Sequence, residues 1–590
     1  MLLTRLAVVS LAAIALLPVA PMSRHIASAQ SQNPCAAALA AEPVATMRAP
    51  ARAPKYGRFG IDTREIRDLL HEHSAAASRI RVRPADEPSR PAADRDDNNI
   101  AILEDNNGDL IIRANPFDLQ NTGLRFERAG SGYAVATAGA DFRSSLGRAL
   151  TLTDDDSVAQ TLAAPFEFYG RRFTSVFVNS DGNLTFDAGD NASTERGLQR
   201  LASGAPRIAP FFADLDPSVG GRVFFDSNAE ATTVTWCAVP GFGLSQTMTV
   251  QAVLFTNGVI EFRFGTADLH EGIVAVSPGG ATSVTPIDLR AGGQVTDAVP
   301  VGELFVASTS LDLVAASRRF YQSHPDNFDQ LVFWTDVDVI DDAFAFESTV
   351  KTAIRGTGLE VFDFASELGS AGALQSVINM DRISKYPDAP ATRLFGDSST
   401  LGILAHETGH RWLAHVRFLN HDRQISDSLL GRQRAHWSFF VDSDGSVMEG
   451  NEITDLGGGT FRTASAAEKY SRLDLYAMGL ATDAEVPSWF YVDGPSAAND
   501  REDGPIVGIT FNGTRRDVLI NDVIDALGPR VPAAADSPRE HRQAFVFVRR
   551  PSAVLDPQDL ARLARIREQF GPFFSRATEN RMTVRTTLTP

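Results

Sequence analysis

Five residues carry the plainest chemistry in this chain: His406-Glu407-Thr408-Gly409-His410. On a helix, positions four apart lie on one face, so both imidazoles can reach a single Zn2+. The glutamate beside the first histidine then has the place of a general base. Zinc lowers the pKa of a bound water to near 7, and the Glu407 carboxylate takes its proton as the water attacks a carbonyl. The surrounding residue types suit a helix. Asp397, Ser398, Ser399 and Thr400 are N-cap candidates, and Leu401, Ile403, Leu404, Trp412 and Leu413 are apolar. Gly409 costs about 1 kcal/mol in a helix interior, so something other than helix propensity put it there. The bland alternative is a helix that merely carries surface histidines. It is disfavoured because five of the eleven histidines fall between 406 and 436.

The segment resembles the zincin class of zinc-dependent metallopeptidases. That resemblance implies His406 and His410 as metal ligands and Glu407 as catalytic base. Hydrolytic zinc sites keep three protein ligands and one open position, so a third ligand is needed. Metzincins extend the motif with a glycine and a further histidine, but those positions hold Leu413 and Val416 here. His415 is one residue short. On a helix continuing through Arg411-Trp412-Leu413-Ala414 it would sit about 140° from His410, which predicts a solvated helix residue. Gluzincins and aspzincins take a carboxylate from a later helix, and Asp474, before Gly479 and Pro487, is the leading candidate. Ser471-x-x-Asp474 is equally a capping-box spacing. His436 is a rival, as a ligand or as a hydrogen-bond donor to an oxyanion, just before a strand-like Trp437-Ser438-Phe439-Phe440. Glu449, in Met448-Glu449-Gly450, is a second rival, although Asn451 and the glycines at 457–459 argue against a helix there. Ser446-Val447-Met448 is similar to a metzincin Met-turn, or is simply a buried methionine. Asp442-Ser443-Asp444-Gly445, with Glu449 or Glu452, could hold Ca2+, but it lacks the EF-hand spacing and reads first as a hairpin turn.

Strands at 330–334 and 376–380 and helices from 401, near 463–481 and near 557–576 predict an α+β domain around the motif, over 326–590. The chain before it is patterned differently. Apolar runs at 100–103 and 110–112 flank Asn106-Asn107-Gly108, a hairpin-turn signature, and a second hairpin over 123–137 turns at Gly130-Ser131-Gly132. From about 150 to 285 short strands alternate with Gly/Asn/Asp turns, which indicates an antiparallel β-sandwich. Three elements occur here in order. They are Val178-Asn179-Ser180-Asp181-Gly182-Asn183-Leu184-Thr185-Phe186, Ile208-Ala209-Pro210-Phe211-Phe212-Ala213-Asp214-Leu215-Asp216, and Gln251-Ala252-Val253-Leu254-Phe255 with Gly258-Val259-Ile260-Glu261-Phe262. Together they resemble the nidogen-like extracellular domain, which implies contact with extracellular matrix, a cell surface or a substrate. The expected order is thus a signal peptide (1–29), a linker or pro-segment (30–95) with one helical candidate at 63–73, a β-rich domain (96–290), a connection (291–325) and the metallopeptidase-like domain.

Arg5 followed by an apolar run over 6–17 and small residues at 27–29 reads as an export signal, too short to span a bilayer. No later stretch approaches 18 uncharged apolar residues, so no transmembrane segment is expected and the mature chain should lie outside the cytoplasm. With 73 acidic and 55 basic residues the net charge is -18, which disfavours nucleic-acid partners. Cys35 and Cys237 are the only cysteines, which excludes a disulfide-stapled scaffold and a multi-cysteine metal site; whether they pair stays open. Two functions follow as expectations. One is a secreted zinc metalloendopeptidase acting on a protein or peptide substrate. The other is an extracellular adhesion or binding protein whose zincin-like domain is inactive.

Overall fold

The computed structural model describes residues 34–40 and 93–589, apart from 107, 193–195, 282–283, 341–342, 397 and 551–555. The expected export signal, most of the expected linker with its 63–73 helix candidate, and the cap candidate Asp397 lie outside the described residues.

Strands that pair with their sequence neighbours build a sandwich. Gly123–Ala129 and Gly132–Ala138 meet at Ala129↔Gly132, so this hairpin stands as expected. Arg171–Asn179 and Asn183–Thr185 turn at Gly182. A Cβ on Gly182 would lie 2.0 Å from the Phe211 carbonyl oxygen, and φ there is +65°, so only glycine fits. One sheet has eight strands and the other seven. Phe126, Phe168, Phe186, Ile208, Trp236, Val250 and Phe262 fill the space between them. The indole of Trp236 donates to the Asn179 carbonyl at 3.1 Å. Cys237, the next residue, points out of the opposite face and bonds to Cys35. The short helix Pro34–Ala40 is thereby fixed over Leu146 and Phe224, with Ala38 and Leu39 against them.

The second domain is built the other way, from strands far apart in sequence. Its central sheet runs Arg95–Asp97, Ile100–Glu104, Glu540–Arg549, Gln330–Thr335, Ser376–Arg382, Phe346–Thr349. The four inner strands are parallel, and Phe346–Thr349 is an antiparallel edge. Side chains alternate across the sheet. Val332, Trp334, Ile378, Phe545 and Phe547 face the motif helix and the long helix Pro557–Ala577. Leu331, Phe333, Val377, Val546 and Val548 face the helix Leu313–Tyr321. Both faces are covered, as parallel sheets require.

This arrangement corrects the expected boundaries. The runs at 100–103 and 110–112 do not form a hairpin with each other. Ile100–Glu104 joins the central sheet beside Glu540–Arg549, and Ile111–Ile112 pairs with Ser310–Leu311. Asn115 and Val306 exchange both backbone hydrogen bonds at 2.9 Å. The sandwich is therefore an insertion whose two ends meet, and the stretch 291–325 is no connection. Gly293–Val295 and Val301–Phe305 complete the sandwich, and Leu313–Tyr321 belongs to the second domain. The helix expected over 463–481 shrinks to Arg472–Ala477, because Thr460–Ser465 is a strand in a separate four-stranded sheet whose Phe461, Phe490 and Phe511 pack on Phe439 and Phe440. Among the described residues no helix is long and apolar enough to cross a membrane.

Candidate metal centre

The motif helix runs Thr400–His410, capped by Ser399, whose hydroxyl accepts from Gly402 N at 3.1 Å. Its back is tied to the central sheet: Gln543 donates to the Thr408 hydroxyl at 2.9 Å. On another side the Tyr470 hydroxyl donates to the Ala405 carbonyl at 2.5 Å. Gly409 has its explanation in packing. A Cβ there would come within 2.6 Å of Met448 Sδ and 3.0 Å of Tyr470 Cε1. The buried Met448 lies directly against the motif helix, and Val447 beside it accepts from the first histidine.

The helix stops at His410, which corrects the expected continuation. Trp412 N and Leu413 N both turn back to the Gly409 carbonyl, and Ala414 N is taken by the Ala435 carbonyl. His415 is consequently buried rather than solvated, and burial pushes its pKa down to about 4.

Three imidazoles converge. The Nε2 atoms of His406 and His410 are 3.0 Å apart, and those of His406 and His436 are 3.2 Å apart. Each ring has its other nitrogen against a backbone carbonyl: His406 Nδ1 on Val447 O at 2.9 Å, His410 Nδ1 on Leu413 O at 3.2 Å and His436 Nδ1 on Arg432 O at 2.8 Å. A carbonyl only accepts, so each neutral ring carries its proton on Nδ1 and turns an Nε2 lone pair toward the other two, that of His436 also meeting a donor, Arg432 Nη2, at 3.2 Å. Lone pairs cannot hydrogen-bond one another. They can share a cation, and tetrahedral Zn–N bonds of 2.0–2.1 Å would set neighbouring nitrogens about 3.3 Å apart. Withdrawal from water lowers the pKa of all three rings, His436 to about 3, which keeps them neutral and able to ligate. The donor set therefore fits a metal of the zinc type. Glu407 is buried on the same helix, one residue after His406.

Asp474 does not join this cluster, which corrects the leading assignment. Its carboxylate is wholly buried and spent on neutral donors: Trp437 Nε1 at 2.9 Å on one oxygen, Ser446 Oγ and Ser471 N at 2.6 Å on the other. Ser471 Oγ accepts from Asp474 N in return, so the capping box is real. Asp474 is a tie that holds Trp437, next to His436, and Ser446, next to Val447. Burial raises its pKa. Trp437 and its neighbours form no strand; Trp437 makes one bridge to Leu430 and donates its backbone N–H to Met448 O.

Glu449 lies at the rim, paired with Arg432, its Oε1 3.9 Å from His436 Nε2. The acidic turn expected as a Ca2+ candidate is spent internally, with Asp442 accepting from Ile453 N at 3.0 Å and Asp444 paired to Lys469 at 2.9 Å. A second cluster, Asp154, Asp155 and Asp214, sits in the sandwich, where Arg196 pairs with Asp155 and Asp214. The sequence singled out neither Arg432 nor the three carbonyls that aim the rings.

A family model described as NIDO related matches residues 132–296, which lie within the sandwich. No curated protein and no solved structure matches the chain. The protein is thus a β-rich chain with a NIDO-related domain inserted into a second domain that carries three converging histidines.

Proposed function

We propose that this chain is an exported, zinc-dependent peptide hydrolase whose NIDO-related sandwich makes extracellular contacts. The observation that carries the reading is the convergence of three Nε2 lone pairs, each aimed by a carbonyl behind its ring. His406, His410 and His436 would hold the metal. A bound zinc ion supplies Lewis acidity, acidifying water and polarising a carbonyl. Glu407 then takes the proton of the attacking water and returns it to the departing amide nitrogen. A structural zinc site needs no carboxylate at that position, which favours an enzyme over an inactive binding protein. The disulfide between Cys35 and Cys237 suits an oxidising compartment. Ca2+ has no part in the reading.

Metal analysis of the purified full chain tests it. The wild type should hold about one divalent metal per three-histidine site, and His436→Ala should lose it on dialysis while Asp474→Asn retains it. Glu407→Gln should keep the metal and lose peptide hydrolysis. A wild type that binds no divalent metal would sink the proposal, and an active Glu407→Gln would sink the role of Glu407.

A further inference from the structure

Beside the three histidines stands an ion pair that the metal reading leaves unexplained. Arg432 grips Glu449 through two nitrogens, Nε to Oε2 at 3.3 Å and Nη2 to Oε1. The same Nη2 is 3.2 Å from His436 Nε2, the nitrogen that turns toward the other two rings. Arg432 is also the residue whose carbonyl orients His436. Its side chain is 44% exposed, so it lies on the open side of the cluster. Its Nη1 makes no hydrogen bond among the described residues and remains a spare donor.

An ordinary surface ion pair does not account for this geometry. Glu449 sits at φ +65°, and Gln433 and Arg434, directly after Arg432, sit at +53° and +55°. Left-handed backbone is unfavourable at each of these non-glycine residues, and a half-exposed ion pair returns little to offset it. Glycine at 449 would remove one of these costs, and Gly450 is its neighbour. The backbone is held in strained conformations that bring a guanidinium, with a carboxylate locked to it, up to the histidines. The pair is neutral as a unit, so it does not repel a cation, yet it leaves the Nη1 donors to whatever binds on the open side.

We propose that Arg432 is a catalytic residue that donates to the oxyanion formed on the substrate carbonyl, and that Glu449 is the positioning residue that aims it. The inference rests on the reading of the three histidines as a hydrolytic metal site. When water adds, its proton passes to Glu407 and the carbonyl π pair moves onto oxygen. That oxygen gains a full charge only after the ground state, so a fixed donor there stabilises the transition state selectively. A guanidinium clamped by Glu449 holds Nη1 at a fixed angle, which an ammonium on a flexible stem does not. Glu449, which the sequence offered as a third ligand, thus has its oxygens occupied by Arg432.

Inorganic phosphate is a tetrahedral oxyanion, and the full chain loaded with Co2+ reports its binding through the visible absorption of the metal. Arg432→Met should bind Co2+ within about threefold of the wild type, yet lose phosphate affinity by about tenfold or more. Imidazole, a neutral ligand, should keep its affinity in the same variant. Arg432→Lys should fall between, and Glu449→Gln should weaken phosphate by a smaller factor because the guanidinium loses its anchor. If Arg432→Met failed to fold, the ranking of Arg432→Lys and Glu449→Gln against the wild type would decide. Variants that hold Co2+ and bind phosphate as tightly as the wild type overturn the role of Arg432 and leave the metal site standing. A wild type that takes up no Co2+ overturns the metal reading itself.

Discussion

The sandwich and the histidine-bearing domain both rest on buried sheets, but they obtain their strands in opposite ways. In the sandwich, pairs such as Thr247–Phe255 with Ile260–Ala267 close across short turns. In the other domain, Ile100–Glu104 lies against Glu540–Arg549, and Gln330–Thr335 lies on the far side of that same strand. A sheet made of neighbours can be cut out whole. A sheet made of distant strands loses its integrity when either end of the chain is removed. The metal site belongs to the second kind, since its helix is bonded to the sheet through Thr408 and Gln543.

Truncation breaks the comparison most severely. A chain starting at residue 315 lacks Ile100–Glu104 and exposes the apolar edge over Phe545 to Val548, so it should not fold; circular dichroism without a cooperative melt is the expected result. Replacing residues 116–305 with two glycines should instead preserve the metal site, because Asn115 and Val306 are an exchanged pair with Cα atoms about 5.5 Å apart. If the truncated chain bound metal and the excised one did not, the insertion would be misassigned. The Cys35–Cys237 crosslink spans 202 residues and belongs to the sandwich side. Changing both cysteines to serine should lower the sandwich transition by about 2–5 kcal/mol and leave metal affinity untouched, as calorimetry with metal titration would reveal.

Asp474→Asn probes the other side. It keeps a side chain of the same shape but leaves one of three donors without an acceptor, which should cost about 1–3 kcal/mol in urea titration. A change below about 0.3 kcal/mol would mean that Asp474 is not the tie described.

Acid sharpens the contrast by sign. His415 and His541 are buried in the histidine-bearing domain with pKa values pushed down by burial to about 4. The unfolded chain protonates them at about 6.5 and the folded one does not, so stability is full above about 6.5 and falls as pH drops below it. At pH 5 the loss is on the order of 1–2 kcal/mol per histidine. In the sandwich, burial holds Asp181 up at about 6, so between about 6 and 4 its folded form takes the proton and gains stability. Asp190, held low against its own burial by Arg200 and Arg207, works in the reverse sense. Melts at pH 7 and pH 5 should therefore show the histidine-bearing domain shifting down and the sandwich shifting little. Equal downward shifts would refute the assignment.

Local patterns were legible and long-range ones were not. The cap at Ser399, the hairpin over 123–137 and the capping box at Ser471 follow from a few adjacent residues. The last of these was readable as the reason that Asp474 is not a ligand, since an acid that closes a cap has its oxygens engaged. His436 sits in a stretch of turns with no periodicity, and only the clustering of histidines hinted at it. The continuous apolar run at 100–103 was itself a signal, because hairpin strands alternate whereas a buried parallel strand does not. The NG-like turn after it masked that reading.

The pairing of Ile100–Glu104 with Glu540–Arg549 also sets an order of events during synthesis. Glu104 and Arg549, which share a hydrogen bond at 2.9 Å, are 445 residues apart. At 5–20 residues per second, about 20–90 s separate their appearance. The sandwich is finished in that interval, while an apolar strand, covered on one side only by Arg95–Asp97, waits beside it with its other edge open. A cell that makes this protein must keep that strand from finding another partner until the last strand arrives.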